Sequence, residues 1–297
     1  MSRFEEIHIR LSDGYSAYAR YRAPKHPIGG VLYLHGIQSH CGWYDESAQR
    51  LHEAGFAVLQ PDRRGAGRNT QRRGHAESPR QLIDDALCCL DELVRRTREA
   101  KNHVLGISWG GKLAAAMHAT NSVGVRSLTL VTPGLFPIVD VSPVDKLRIG
   151  WAMVSDPHRC FDIPLNDPEL FTANPAWIEW LRGDELQLHQ ATAGFFLVSR
   201  RMDRIARRLP TALPVPLNVF LAEDERIIDN AKTRHFVREL NWPCVRITTY
   251  KDARHTLEFE KHNDRYFDDL VNWLLEATHD DGARTATAGR DRPRRVR

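Results

Sequence analysis

The run His103-Val104-Leu105-Gly106-Ile107-Ser108-Trp109-Gly110-Gly111-Lys112-Leu113-Ala114-Ala115-Ala116-Met117-His118 decides the fold. A short apolar stretch leads into Gly-x-Ser-x-Gly, and an alanine-rich stretch leaves it. The pattern reads as strand, tight turn with a serine at its apex, then helix. Such a turn lifts the serine hydroxyl above the sheet and sets it at the positive end of a helix. Crowding accounts for the glycines, because side chains two before and two after the serine would collide. The strand before and the helix after mark a nucleophile elbow, where the bare letters would be only a pattern.

Outward from this turn, strands and helices alternate. Toward the N-terminus, Ile7 to Leu11 and Tyr15 to Tyr21 alternate in polarity around Asp13-Gly14, which predicts a hairpin. Val31-Leu32-Tyr33-Leu34 and Phe56-Ala57-Val58-Leu59 are continuous apolar runs, as expected of strands buried on both faces. A helix is expected around Tyr44 to Ala54. Ser78-Pro79-Arg80-Gln81 reads as a helix start, with Ser as cap, Pro in the first turn and Gln closing the box. Beyond the elbow, strands are expected at Ser127 to Val131, Leu217 to Leu221 and Val245 to Tyr250. Helices are expected from about Asn230 to Leu240 and around Phe267 to Leu275.

Alternation of this kind implies a mostly parallel central sheet with helices on both faces and an antiparallel edge. The rhythm breaks between residues 133 and 208, a stretch of helices and loops rich in Trp and Phe. Its place between two sheet strands predicts a helical cap over the carboxyl ends of the strands. The expected organisation is a core of residues 1–132 and 209–278, a cap of residues 133–208, and a basic tail of residues 279–297. From Asp280 on, six arginines meet three aspartates without apolar periodicity, so the tail is expected to be disordered and solvated. It has no aromatics for stacking bases, and no nucleic-acid partner is expected.

The 297 residues suffice for one large α/β domain, and the composition is that of an ordinary globular protein with a net charge of +4. Met1 to Glu6 lacks an apolar signal core, and no apolar run is long enough to span a bilayer. A soluble cytoplasmic protein is expected. The five cysteines are odd in number and form no Cys-x-x-Cys pair, which suits free thiols in a reducing compartment. The histidines are scattered, without metal-ligand spacing, so neither a metal nor another cofactor is expected. Nothing in the sequence gives the oligomeric state.

A serine hydroxyl is a weak nucleophile and needs an adjacent base, which in turn needs an orienting acid. In this chain order the base should follow the last strand, and His255 does so. The acid should follow Leu217 to Leu221, where Asp224 and Glu225 are neighbours. Aspartate is the commoner residue in the role. Position favours Glu225, which stands two residues before the apolar pair Ile227-Ile228. An oxyanion needs two fixed N–H donors. Trp109, directly after the serine, and Ile37, in the loop His35-Gly36-Ile37-Gln38, are the candidates. Gly36 lets that loop approach closely, and His35 reads as a structural hydrogen-bonder beneath it.

His35-Gly36 with Gly42-Trp43-Tyr44, Asp62-Arg63-Arg64-Gly65-Ala66-Gly67, Arg73-Gly74-His75, the elbow at Ser108 and Ala253-Arg254-His255-Thr256-Leu257 together resemble the α/β-hydrolase superfamily. Within it, the chain is most similar to the branch of monoacylglycerol lipases, lysophospholipases and serine aminopeptidases. The resemblance covers most of residues 5–277. It implies Ser108 as nucleophile, His255 as base, and Ile37 and Trp109 as oxyanion donors. The chain departs from the family pattern at Glu225, where aspartate is usual, and at Ile37, where smaller residues are common. A serine at the elbow, where dehalogenases and epoxide hydrolases of this fold carry aspartate, points to acyl transfer to water through an acyl-enzyme.

The expected substrate is a small-molecule carboxylic ester with an apolar acyl chain, of the monoacylglycerol or lysophospholipid kind. Gly36, Trp151, Phe161, Trp177 and Phe196 are the candidate pocket residues, since ligand sites are mostly apolar with a few polar anchors. An aminopeptidase is less favoured, because no acidic cluster for a substrate amine stands out. The alternatives are a thioesterase, an acyltransferase, or a small-molecule receptor on a hydrolase scaffold.

Overall fold

The computed structural model describes residues 4–288, with side chains through His279. The hairpin β1 (Glu5–Arg10) and β2 (Ser16–Arg22) is followed by β3 (Gly29–Leu34), α1 (Asp45–Glu53) and β4 (Phe56–Pro61). Then come α2 (Pro79–Thr97), β5 (Asn102–Ile107), α3 (Trp109–Thr120) and β6 (Val125–Val131). Residues 133–208 contain α4 (Pro143–Ser155), β7 (Cys160–Asp162), α5 (Pro175–Arg182), β8 (Gln190–Thr192) and α6 (Ala193–Ala206). The chain then returns to the sheet with β9 (Leu217–Ala222), α7 (Asn230–Arg238), β10 (Val245–Tyr250) and α8 (Asp264–Ala288).

Eight strands form one sheet in the order β1-β2-β4-β3-β5-β6-β9-β10. The β1–β2 and β2–β4 pairings are antiparallel, and the rest are parallel. This is the α/β-hydrolase architecture that the sequence resemblance implies. Every residue of β3, β4, β5 and β9 is buried, which explains why those strands read as continuous apolar runs. β10 lies at the sheet edge and is only partly covered.

Local signals act much as read. Ser78 Oγ accepts the Gln81 N–H at 3.1 Å to cap α2, but Gln81 Oε1 reaches back to the Glu77 N–H at 2.9 Å instead of that of Ser78. Two expectations need correction. The 133–208 stretch is not only helix and loop, because β7 and β8 pair antiparallel as a short ribbon. α8 continues to Ala288, so its backbone carries helix into the stretch read as disordered from residue 279. The alanines at 283, 286 and 288 are strong helix formers. The expectation for residues 289–297 lies outside the described residues. Among those described, no helix is long and apolar enough to cross a membrane.

One buried carboxyl ties the end of the sheet to its start. Glu258 accepts the N–H groups of Glu46 and Ser47 at 3.0 Å each, at the N-terminus of α1, and its Oε2 lies 2.5 Å from Ser47 Oγ. Burial pushes this carboxyl up to about 8, against the opposing pull of the Ser47 bonds. A raised folded-state value favours the protonated form. The stability it contributes is therefore present at acid pH and lost as pH rises through about 8. Glu258→Gln mimics the protonated acid. The difference in Tm between variant and wild type should move in the variant's favour from about pH 5 to about pH 9. A difference that stayed constant over that range would show that Glu258 does not titrate there.

Candidate active site

The elbow is built from backbone contact. Ser108 sits between β5 and α3 at φ 53° and ψ −119°, a region that costs a non-glycine residue roughly 1–3 kcal/mol. A Cβ at Gly106 would lie 2.4 Å from the carbonyl oxygen of Gly110. One at Gly110 would lie 2.2 Å from that of Leu34 and 2.5 Å from that of His35. No side chain fits at either place, and the end of β3 is held directly against the first turn of α3. The Ser108 N–H donates to the Val131 carbonyl at 2.9 Å, and the Ser108 carbonyl accepts the Gly134 N–H at 2.7 Å.

His255 follows β10, at the same carboxyl edge of the sheet. Its carbonyl accepts Thr132 Oγ1 at 2.9 Å, next in sequence to the residue that holds the Ser108 amide. Its Nδ1 lies 2.9 Å from both carboxylate oxygens of Glu225. A carboxylate can only accept, so Nδ1 carries the hydrogen of this bond. That Nε2 is buried and makes no hydrogen bond in this conformation. Glu225 Oε1 also accepts the N–H groups of Ile227 and Ile228, at 2.8 and 3.3 Å. The side chains of His255 and Glu225 are each 1% exposed. Asp224 points elsewhere, to Arg226 at 2.9 Å and Arg254 at 3.3 Å, about half exposed. The Arg226 bond holds the Asp224 carboxyl below its usual range.

The two candidate donors, Ile37 and Trp109, line the same cavity as the serine. Trp109 opens α3 and has no intrahelical acceptor for its amide, and Ile37 lies in the loop that Gly36 allows close. A Cβ on Gly36 would stand 3.4 Å from Ser108 Cβ. Among the described residues, neither the Ile37 nor the Trp109 amide donates elsewhere. His35 lies beneath the loop, accepting the Arg63 N–H at 2.7 Å on Nε2 and contacting the Gly36 carbonyl at 2.8 Å through Nδ1. Burial drives its pKa down to about 4, so the ring is neutral and Nε2 stays an acceptor.

Ser108, Ile37, Trp109 and Phe196 line one cavity of about 740 Å³. Its other apolar walls come from the 133–208 segment, including Ile149 and Met153, and from Ile227 and Ile228 after β9. Three of the expected pocket aromatics are elsewhere. Trp151 is 70% exposed on α4. Trp177 stacks on Phe259 with centroids 4.0 Å apart, and Phe161 lies on the β7 ribbon beneath Arg159. Gly36 supports the site from behind and does not line the cavity.

The sequence reading passed over Arg63 and Lys112. Arg63 donates to the Ile37 carbonyl at 2.8 Å, and its guanidinium stands 5.0 Å from the Trp109 ring and 4.9 Å from that of Phe195. One buried cation thus touches both candidate oxyanion residues. Burial lowers its pKa to about 10, which leaves it charged at neutral pH. The signal was the doubled arginine after Asp62, although neither residue alone suggests a partner. Lys112 lies one turn past Ser108, buried, with Nζ 2.6 Å from Asp203 Oδ1 on α6.

Among the described residues one cluster has metal-ligand chemistry: His40, Cys41 and Asp62. Its atoms are engaged with the protein. His40 Nδ1 accepts the Gly42 N–H at 3.0 Å, and its Nε2 lies 3.1 Å from Asp184. Asp62 accepts the N–H groups of Cys41 and Arg68 at 2.7 and 2.8 Å. Burial pushes the Cys41 thiol up, away from the thiolate a metal would need. The cluster braces the loop after β3.

Residues 25–262 match the model of the serine aminopeptidase S33 family, and the chain belongs to that family of hydrolases. It is 26% identical over 255 residues to a monoacylglycerol lipase of Mycolicibacterium smegmatis, covering 84% of this chain and 89% of the relative. It is 23% identical over 262 residues to a monoglyceride lipase of Rattus norvegicus, covering 85% and 84%. The crystal structure of a monoacylglycerol lipase from Paleococcus ferrophilus superposes with a TM-score of 0.79 at 20% identity, over 89% of this chain and 100% of that one.

The unequal surroundings of the two neighbouring acids give a direct test. Glu225→Gln should lower kcat on a chromogenic short-chain ester by roughly 10³–10⁴ with little change in KM, because the imidazole loses its anionic partner. Asp224→Asn should stay within about twofold. An equally deep loss from Asp224→Asn would reverse the assignment.

Proposed function

We propose that this chain is a serine hydrolase that cleaves carboxylic esters with an apolar acyl chain, of the monoacylglycerol or lysophospholipid kind, through an acyl-enzyme. The observation that carries the reading is the His255–Glu225 pair. It is dry, its Nδ1 is held by the carboxylate, and its Nε2 is buried without a partner, on the loop that leaves the sheet at the same edge as the elbow serine. The names of the relatives support the ester class.

In this reading the ester carbonyl enters the cavity with its oxygen toward the amides of Ile37 and Trp109. Ser108 Oγ attacks the carbonyl carbon while His255 Nε2 takes its proton. Glu225 stabilises the imidazolium that forms. The two amides stabilise the oxyanion, a contribution typically worth about 3–4 kcal/mol per donor when one is removed. His255 returns the proton to the leaving alcohol. Water then repeats the sequence on the acyl-enzyme and frees the acid. Residues 133–208 act as the cap that walls the acyl chain from solvent. The family description includes aminopeptidases, yet among the described residues no unpaired carboxylate lines the cavity to hold a substrate ammonium. Its acidic lining residues, Asp140 and Asp203, are each paired to a lysine.

A fluorophosphonate probe tests the reading. One adduct should form, on Ser108, and Ser108→Ala should abolish it together with ester turnover, by a factor on the order of 10⁵ or more. Ester hydrolysis that survives Ser108→Ala at the wild-type rate would sink the mechanism. A well-folded chain that takes no label would move the site from catalysis to binding.

A further inference from the structure

One end of the cavity carries more positive charge than the protein neutralises. Lys112 from α3, the α6 residues Ser199, Arg200 and Asp203, and Arg207 at the end of that helix all line it. Positions 199, 200 and 203 recur at helical spacing on α6, with Arg207 as its C-cap, and Ser199 and Asp203 of that face touch the elbow helix. Lys112 is 4% exposed, and its Nζ reaches Asp203 Oδ1 at 2.6 Å and Ser199 Oγ at 3.4 Å. The cavity's remaining lysines are paired outside this cluster, Lys146 with Asp140 at 2.6 Å and Lys232 with Asp229 at 3.0 Å. Among the described residues, neither Arg200 nor Arg207 has a carboxylate partner. Arg207 lies 5.0 Å from the ring of Phe136, another cavity residue, which holds it against the wall.

Three cationic side chains therefore line this part of the cavity with one carboxylate among them, and that carboxylate pairs with Lys112. Lys112 is destabilised first by burial and further by repulsion from Arg207 and Arg200, with Asp203 opposing. Arg200 and Arg207 line the cavity from exposed positions, so water screens part of this repulsion, and an anion bound beside them would relieve the rest. The rest of the cavity wall is mainly apolar, and Ser108 opens onto the same space. The site thus offers apolar walls and a cationic cluster within the one cavity that Ser108 lines.

We propose that Arg200 and Arg207, with Lys112 behind them, form a subsite for a phosphate or carboxylate carried by the ester itself, so that the preferred substrate is single-tailed, apolar at one end and anionic at the other. This rests on the ester-hydrolase reading for its consequence in turnover, but the subsite itself can be tested without turnover. The anion sits on the alcohol side, as in a glycerophosphate ester, or on the acyl side, as in the monoester of a dicarboxylic acid.

The first measurement is binding to the Ser108→Ala chain, titrated calorimetrically with octyl phosphate, octanoate and octyl glucoside below their micelle concentrations. At least one anionic amphiphile should bind about tenfold tighter than the neutral one, and the advantage should vanish in Arg200→Gln/Arg207→Gln. Added salt should weaken the anion and leave octyl glucoside unchanged. Equal affinity for all three, or an advantage that persists in the double variant, would overturn the subsite whatever the chain hydrolyses. The second measurement is kcat/KM of the catalytically intact chain for two matched pairs. These are monooctanoylglycerol against its phosphate, and a nonanoic methyl ester against the monomethyl ester of nonanedioic acid. A preference for the anionic member of one pair, lost in the double variant, assigns the anion to the alcohol or the acyl side. No preference in either pair would refute the substrate class.

Discussion

A contact between backbones governs this molecule. The first turn of α3 lies so close to the end of β3 that Gly110 meets the carbonyls of Leu34 and His35, and Gly106 meets the carbonyl of Gly110. That separation brings the loop carrying Ile37, after one strand, and Trp109, after another, to the cavity that Ser108 lines. The positive φ of Ser108 has the same origin, since the chain must reverse within one residue between a buried strand and a buried helix. The strain is sustained because both flanking elements are fully packed.

The sheet places the other site groups by the same logic. β5, β6, β9 and β10 are neighbours and parallel, so the segments that follow β5, β9 and β10 emerge at one edge. Distant residues in the chain therefore arrive together without long excursions. Burial then sorts their charges. Glu225 is dry, yet two backbone N–H groups and His255 satisfy its carboxylate. Asp224, one residue earlier, faces solvent and two arginines. His35 is buried and neutral, which lets it act as a fixed acceptor under the loop.

What could be read from sequence was what local geometry encodes. The Gly-x-Ser-x-Gly turn, the buried apolar strands, the Ser78 cap and the placing of His255 after the last strand each depend on a few adjacent residues. The preference for Glu225 over Asp224 came from its spacing to Ile227-Ile228, and those two amides are the ones that hold its carboxylate. The cavity wall was less legible. An aromatic residue at helical spacing tells that something apolar is near, not what it is. Trp177 finds Phe259 of the core, Phe196 finds the cavity, and Trp151 stays on the surface. The β7–β8 ribbon has three residues per strand, too few for alternation to register. Lys112 and Asp203 look like ordinary helix-surface charges until α3 and α6 are packed together.

That packing is unusual in being polar at its centre. Trp109 Nε1 donates to Ser199 Oγ at 2.9 Å, and Lys112 pairs with Asp203 beside it. The edges of the 133–208 segment are also held by polar bonds. Arg73 donates to the carbonyls of Leu186 and Gln187, Thr192 N–H to that of Gly74, and Asp184 accepts Trp43 Nε1 at 2.7 Å. Buried ion pairs contribute little net stability, because desolvation offsets their attraction, and apolar residues of similar volume often serve as well. Stability is therefore a weak reason for Lys112 and Asp203 to stand where α3 meets α6. Their consequence for the cavity is larger. A greasy contact there would extend the apolar wall of the cavity that Ser108 lines. A polar one gives the space two ends of different character, and a molecule that enters it is oriented by which end suits which part.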